Sequence, residues 1–289
     1  MLILFTDSDT DITPKEAKEY GYEMISMPYI IGDETFYPYK DSDEFDFVAF
    51  YEMLAKGVMP KTSALSPGEY IEYFEPHFKN GDDILYVHFS AAMSGTFQAM
   101  NLALEELKEK YPERKFYEID CKGITLNAYY TAKAIGIMHR DGASLEEMLA
   151  YAEKEVDHAA TYFYASDLKF FARSGRVSGF KAFMGSLIGI HPIINMSQEG
   201  IMGSIDKARG RIPTLQKIID YMVKLDDDLV NHEIIIGHTN APKEVELLKE
   251  MIIKQFGDNL KISVIWSNPT AGSHCGPNNV GVAFHAIHR

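Results

Sequence analysis

Cysteine is nearly absent: Cys121 and Cys275 stand alone, with no C-x-x-C and no paired Cys/His spacing. That excludes a disulfide scaffold and gives no basis for structural zinc, so the chain reads as a protein of a reducing, cytoplasmic compartment without metal or cofactor. Long apolar runs are missing too. The N-terminus offers only Leu2 to Phe5 before Asp7, too little for a secretory segment, and no stretch approaches the roughly 20 residues that cross a bilayer. Basic charge is scarce, with 28 Lys and Arg against 42 Asp and Glu for a formal net charge of -14. Nucleic-acid binding, which depends on neutralising phosphates, is thereby excluded. There is no G-x-x-x-x-G-K-[ST], no G-x-G-x-x-G after the first strand and no G-x-S-x-G, so nucleotide binding and a hydrolase elbow lack support.

What is present is ordinary globular material. The 289 residues are 46% apolar and 24% charged, enough for two domains, each with its own core. The scarce basic charge is also uneven. From Ala165 to Lys217 eight basic residues, among them Arg173, Arg176 and Arg209, face three acids, which makes this stretch +5 inside a remainder of -19. Such a patch suits an anionic partner or a solvated face.

The chain opens with a buried strand, Leu2 to Thr6, then the turn Asp7 to Asp11 and a helix started by Thr13-Pro14-Lys15-Glu16, an N-cap, a first-turn proline and a capping-box acid. The same grammar recurs at Ser66 to Glu69 and Ser144 to Glu147. Met24 to Ile31 and Thr35 to Tyr39 flank Gly32-Asp33 as a β-hairpin. Strands at Ile84 to Phe89 and Lys115 to Ile119 alternate with helices from about Ser94, over Thr125 to Arg140 and over Ser144 to Val156, which predicts parallel βαβ units. Past residue 160 the texture changes. Ala159 to Tyr164, Ile190 to Met196 and Ile201 to Ile205 read as antiparallel strands, followed by helices over Arg211 to Leu225 and Pro242 to Phe256 between strands at Glu233 to His238 and Lys261 to Ile265. The fold class is therefore α/β: a doubly wound, mostly parallel N-terminal domain over 1–160 and an α+β domain over 161–289, with a ligand at their interface.

Three polar clusters could carry chemistry. Lys61-Thr62-Ser63 reads as a loop. Ser90 to Thr96 links a strand to a helix, where amides of Gly95, Thr96 and Phe97 and the Ser94 hydroxyl face the positive end of the helix dipole. This suits a carboxylate or phosphate oxygen, although Ser94 as a simple cap reads equally. Asn268 to Pro277 reads as a glycine-rich loop presenting His274, a placed acid-binding group or a structural hydrogen-bonder. Finally, Phe170-Phe171, Phe180, Phe183-Met184, Leu187-Ile188, Ile190 and Ile193-Ile194 are punctuated by Gly175, Gly179, Gly185 and Gly189. Core packing explains such a run, and so does the wall of a tunnel for a flexible chain.

Together these clusters resemble the DegV family of fatty-acid-binding proteins, whose best-studied members are the acyl-carrying subunit of bacterial fatty acid kinase. The likeness spans the chain: Asp7-Ser8-Asp9-Thr10-Asp11-Ile12 is similar to D-S-x-x-D-[LI], Lys61-Thr62-Ser63 with Pro67 to T-S-x-x-S-P, and Ser94 to Ala99 to S-G-T-[YF]-Q-[SA]. Gly237 to Ala241 and His274-Cys275-Gly276-Pro277 with Gly281 to Phe284 complete it. The resemblance implies that Thr62 and Ser94 hold a carboxylate, helped by Ser63, Gly95 and His274, while Phe171 and Phe284 meet the ligand. It sets Arg173 near the pocket mouth and Arg209, with Arg173, toward an ATP-binding kinase subunit. Ser174, Phe171, His191 and Asn278 depart from the pattern and bear on acyl-chain choice and docking. The implied ligand is a long-chain fatty acid, phosphorylated by the partner; the chain itself has no catalytic residue, no transmembrane segment and at most transient membrane contact. Two other readings stay open here: a hydrolase or acyltransferase using Ser94 and His274, and a lipid-sensing regulator.

Overall fold

A computed structural model describes residues 1–178 and 189–289. Its first sheet holds β1 (Leu2–Asp7), β2 (Tyr22–Ile25), β6 (Asp83–His88) and β7 (Phe116–Asp120) in the order β2-β1-β6-β7, parallel throughout. Period-two alternation sends neighbours to opposite faces. Leu4, Leu85 and Val87 pack with α1 (Pro14–Tyr20), α5 (Leu126–Arg140) and α6 (Leu145–Glu155), while Phe5, Ile84 and Tyr86 pack with α3 (Pro67–Asn80) and α4 (Thr96–Lys110). The expected doubly wound arrangement is what forms. All three predicted capping boxes are made, at Thr13, Ser66 and Ser144.

The predicted strand Met24 to Ile31 is not continuous. Pro28 interrupts it, and a separate small antiparallel sheet gathers β3 (Tyr29–Ile31), β4 (Glu34–Phe36) and β5 (Lys61–Thr62) beside α2 (Phe47–Ala55). A proline has no N–H to donate to a ladder. The turn at Gly32-Asp33 does close the β3–β4 hairpin.

The second sheet is larger and mixed. It orders β13 (Lys261–Trp266), β12 (Glu233–His238), β14 (Val280–His285), β8 (Ala159–Tyr164), β10 (Ile190–Met196), β11 (Met202–Arg209) and β9 (Val177–Ser178). β12 runs parallel to β13, and β12, β14, β8, β10 and β11 are antiparallel in succession. α8 (Arg211–Leu225) and α9 (Pro242–Phe256) cover one face with Ile218, Met222 and Leu248 in a core that includes Phe284. On the other face Ile235 and Ala283 join the core of α5. α5 is therefore the layer shared by both sheets, which explains why no flexible linker was legible.

Two short helices finish the fold: α7 (Leu168–Ser174) and α10 (Pro269–Cys275). α10 corrects the expected loop at Asn268 to Pro277. Asn268 caps it, its Oδ1 accepting the Ala271 amide at 2.8 Å, and Pro269 takes the first turn. Two glycines and two prolines looked like loop chemistry, yet the capping grammar was also there. Phe180, Phe183, Met184, Leu187 and Ile188, with Gly179 and Gly185, lie outside the described residues. Among the described residues no helix is long and apolar enough to cross a membrane.

Candidate ligand site

The ends of β1, β6, β8 and β12 converge on α10, β5 and the start of α4, and a cavity opens there with about 1230 Å³ of atom-free space, its mouth included. Thr62, Ser63, Ser94, Gly95, Phe171 and His274 all line it. The fold thus brings these six residues to one cavity from four segments.

Local bonding holds the polar end in place. Thr62 is the last residue of β5, paired with Tyr29. Its hydroxyl lies 2.8 Å from His274 Nε2. The Thr96 hydroxyl ties the strand side to α4, accepting the Leu65 amide at 3.1 Å and meeting the Tyr70 hydroxyl at 2.9 Å. Ser94 Oγ accepts the Thr96 amide at 3.2 Å from the residue before the Gly95 N-cap of α4, and the same serine lines the cavity. α10 is seated by Tyr51, whose hydroxyl donates to the Ser267 carbonyl at 2.7 Å. Gly276 closes the helix at φ 74°, where a Cβ would stand 2.5 Å from the Phe170 ring, so both the backbone and the close approach call for glycine.

Arg173 does not line the cavity. Its guanidinium donates to the carbonyls of Met59 (2.7 Å), Pro60 and Ser273 (3.0 Å). It clamps the segment leading to β5 onto α10, and so brings Thr62 and His274 together. Arg176, which the sequence reading counted only within the basic stretch, does line the cavity. Gly175 at φ 66° turns the chain after α7 so that the next residue points there; the Arg-Ser-Gly-Arg run was the signal available. Phe284 is fully buried beside Tyr162 under α8 and is not among the cavity's lining residues. Arg209 is exposed at the end of β11. In the same basic stretch Arg211 pairs with Glu244 at 2.6 Å and Lys217 with Asp206 at 2.5 Å.

The rest of the wall is mostly apolar, with Met27, Phe89, Met93, Phe163, Met196 and Met202. Methionine and phenylalanine are adaptable liners for a flexible chain. Two buried titratable residues also reach it, Asp9 and His238. Burial, reinforced by Asp7, pushes the Asp9 carboxyl well above the usual range. Asp7 itself is pushed up to about 7 by burial, against hydrogen bonds from Tyr86 and from the Phe89 and Asp9 amides. A run of acids after a strand gave no hint that they would be buried.

Burial lowers His274 to about 4, helped by the nearby Arg176 and Arg173 charges. The imidazole is neutral at pH 7. In the tautomer that carries its proton on Nε2, His274 donates to Thr62 Oγ1 and leaves the threonine proton free to point into the cavity. A carboxylate at the mouth would meet the Thr62 and Ser94 hydroxyls and the Arg176 charge. For metals, the described residues bring three ligand atoms within 4.8 Å only at His158, Asp227 and His285. There the two Nδ1 atoms already face the carbonyls of Ala286 (2.7 Å) and Asp227 (3.0 Å).

A family profile described as uncharacterised protein, DegV family, matches residues 1–286. The chain belongs to the DegV family. A DegV domain-containing protein of Clostridium perfringens is 32% identical over 286 residues, 98% of this chain and 96% of that protein. Among solved structures, a fatty-acid-binding DegV family protein from Thermus thermophilus superposes with TM-score 0.85 at 21% identity, covering 99% of both chains. A stearic-acid-binding protein from Eubacterium ventriosum also reaches 0.85, at 18% identity over 99% of this chain and 98% of that one. The DegV fold is thus shared from end to end.

Proposed function

We propose that this DegV family protein binds a long-chain fatty acid, holding the carboxylate with Thr62, Ser94 and the His274 relay, and presents it to a separate ATP-dependent kinase subunit that makes the acyl phosphate. The observation that carries the reading is the Thr62–His274 pair, 2.8 Å apart, on a cavity that Ser94 also lines and that methionine and phenylalanine wall. A solved fatty-acid-binding DegV family protein and a solved stearic-acid-binding protein of the same fold support the ligand class. About 0.8 kcal/mol per buried methylene gives a fifteen-carbon tail on the order of ten kcal/mol before ordering costs, so the tail supplies affinity. The hydroxyls and Arg176 offset desolvation of the acid and select it over an ester.

The hydrolase reading fares worse. His274 Nε2 is engaged by Thr62, and an imidazole held near 4 is a weak general base at pH 7. Exposed Arg209 on β11 is the residue offered to the kinase, whereas Arg173 is occupied by carbonyls.

Mass spectrometry of an organic extract of the purified protein tests the ligand. A bound C14 to C18 acid is expected; none, together with no binding of added palmitate or oleate, overturns the proposal. With the cell's kinase subunit and ATP, loss of acyl-phosphate formation in Arg209→Glu is expected. A lipid sensor without a kinase role would give no acyl phosphate at all.

A further inference from the structure

Not all of the cavity wall suits hydrocarbon. The wall crosses the second sheet from Met196 and Met202, on β10 and β11, past Phe163 on β8 and Gly281 on β14, to His238 at the end of β12. The strands stand in the order β12-β14-β8-β10-β11, four spacings of about 4.8 Å, so the two ends lie about 19 Å apart. The β12 end is polar. Ser267, which follows β13, donates its amide to the His238 carbonyl at 3.1 Å, and Thr239 comes next after His238. Thr270, three residues on from Ser267, lies on the same face of α10 as His274 and one turn before it, about 6 Å along the helix axis.

Three side chains at this end hold hydrogen-bonding capacity that the fold does not use. His238 Nδ1 accepts the Ala241 amide at 3.3 Å, and burial lowers the imidazole to about 4. The ring is neutral at pH 7, so its proton sits on Nε2. That N–H and Ser267 Oγ make no hydrogen bond among the described residues, and neither belongs to the buried polar atoms that are sealed from solvent without a partner. Both residues are 7% exposed and line the cavity, so the surface these atoms keep opens into it. Thr239, 2% exposed, also lines the cavity, and its Oγ1 accepts the Asn279 amide at 2.8 Å, which leaves the hydroxyl proton to spare.

These groups decide what can lie against them. A plain methylene displaces their water and leaves each unsatisfied. An ion fits no better. Arg176, the one Lys or Arg among the described lining residues, precedes β9 at the opposite edge of the sheet, and Asp9, the one carboxyl there, is held toward its neutral form by burial. A charge at the β12 end would be desolvated without a counter-charge. A hydroxyl matches the set: it accepts twice, from His238 Nε2–H and the Thr239 hydroxyl, and donates once, to Ser267 Oγ.

We propose that the cavity takes a hydroxylated long-chain fatty acid, whose hydroxyl meets His238, Thr239 and Ser267 while the unsubstituted part of its chain follows the methionines. This rests on the fatty-acid reading above and narrows its substrate class. Displacement of a fluorescent fatty acid from the whole protein by stearate and by the monohydroxystearates substituted from C2 to C12 tests it. At least one isomer should bind about tenfold more tightly than stearate, the worth of a satisfied hydrogen-bond set. The readout is the ratio of hydroxystearate to stearate affinity, which a general loosening of the fold does not move. Ser267→Ala, which removes a hydroxyl that bonds nothing in the protein, and His238→Phe, which keeps a ring against Trp266, should each reduce that ratio about threefold or more. Two results overturn the inference while leaving the fatty-acid reading intact: stearate binding as tightly as every hydroxylated isomer, or a preference for one isomer that persists in both variants. Failure of stearate and of all isomers to displace the probe would instead remove the fatty-acid reading, and this inference with it.

Discussion

The Thr62 hydroxyl and His274 Nε2 stand 2.8 Å apart across 212 residues of chain. Each side chain is placed by its own scaffold: β5 depends on its pairing with β3, and α10 on Asn268 and Tyr51. With the proton of the neutral imidazole on Nε2, the pair can donate one proton outward to an acid.

Thr62→Val should therefore weaken palmitate binding by roughly 1.5–3 kcal/mol, about ten- to a hundredfold, the worth of a hydrogen bond to a charged group. Thr62→Ser keeps the hydroxyl and should cost little. His274→Gln combined with Thr62→Val should cost less than the sum of the two, since both act through one relay. A fluorescent fatty-acid displacement assay measures all four; strict additivity would mean that the two residues contact the ligand independently.

The strands of the first sheet and the capping boxes were legible because each is specified locally, by alternation or by four consecutive residues. The cluster Thr62, Ser94 and His274 was legible through motif order. What escaped was tertiary: Arg173 reads as a surface cation until the carbonyls of Met59, Pro60 and Ser273 are seen around it. Asp9 and Asp11 read as part of a turn, with no sign in the sequence that both are buried. Phe284 belongs to a motif but faces α8, a consequence of strand phase in a sheet whose partners were not known.

Arg173→Ala should lower stability rather than only docking. It leaves three carbonyls short of a donor, and because the side chain is partly exposed, water recovers part of the loss, so about 1–2 kcal/mol is expected. Thermal unfolding of Arg173→Ala and Arg209→Glu separates the roles. The first should melt several degrees lower, and the second within about a degree of the parent.

Two cavity residues give stability opposite slopes with pH. His274 is lowered to about 4 by burial and by Arg176 and Arg173, so as pH falls from about 6.5 the unfolded chain takes up the proton first and stability drops, by up to about 3 kcal/mol at pH 4. His274→Gln should flatten that limb. Asp9 is raised, chiefly by burial, so above about pH 4 the folded state keeps a proton that the unfolded chain has released, and stability falls as pH rises. Asp9→Asn has no such proton and should gain stability over the parent as pH climbs. Urea midpoints from pH 4 to 8 measure both; a gain in Asp9→Asn that is largest at pH 4 would contradict the buried, protonated acid.

Met196 is 1% exposed and lines the apolar wall of the cavity, which on the proposed function would make it a ruler for the acyl tail. Met196→Ala removes three heavy atoms and should cost the ligand-free protein about 2–4 kcal/mol. The space left admits extra methylenes, each worth about 0.8 kcal/mol or close to fourfold in affinity. Competition between palmitate and stearate should therefore shift toward stearate by roughly four- to tenfold in the variant, while the contribution of Thr62 stays as in the parent. An unchanged ratio would mean that the tail never reaches β10 and runs instead along Met93 and Phe89. Met93→Ala would then carry the shift, because the polar end is fixed at Thr62 and only the direction of the chain differs.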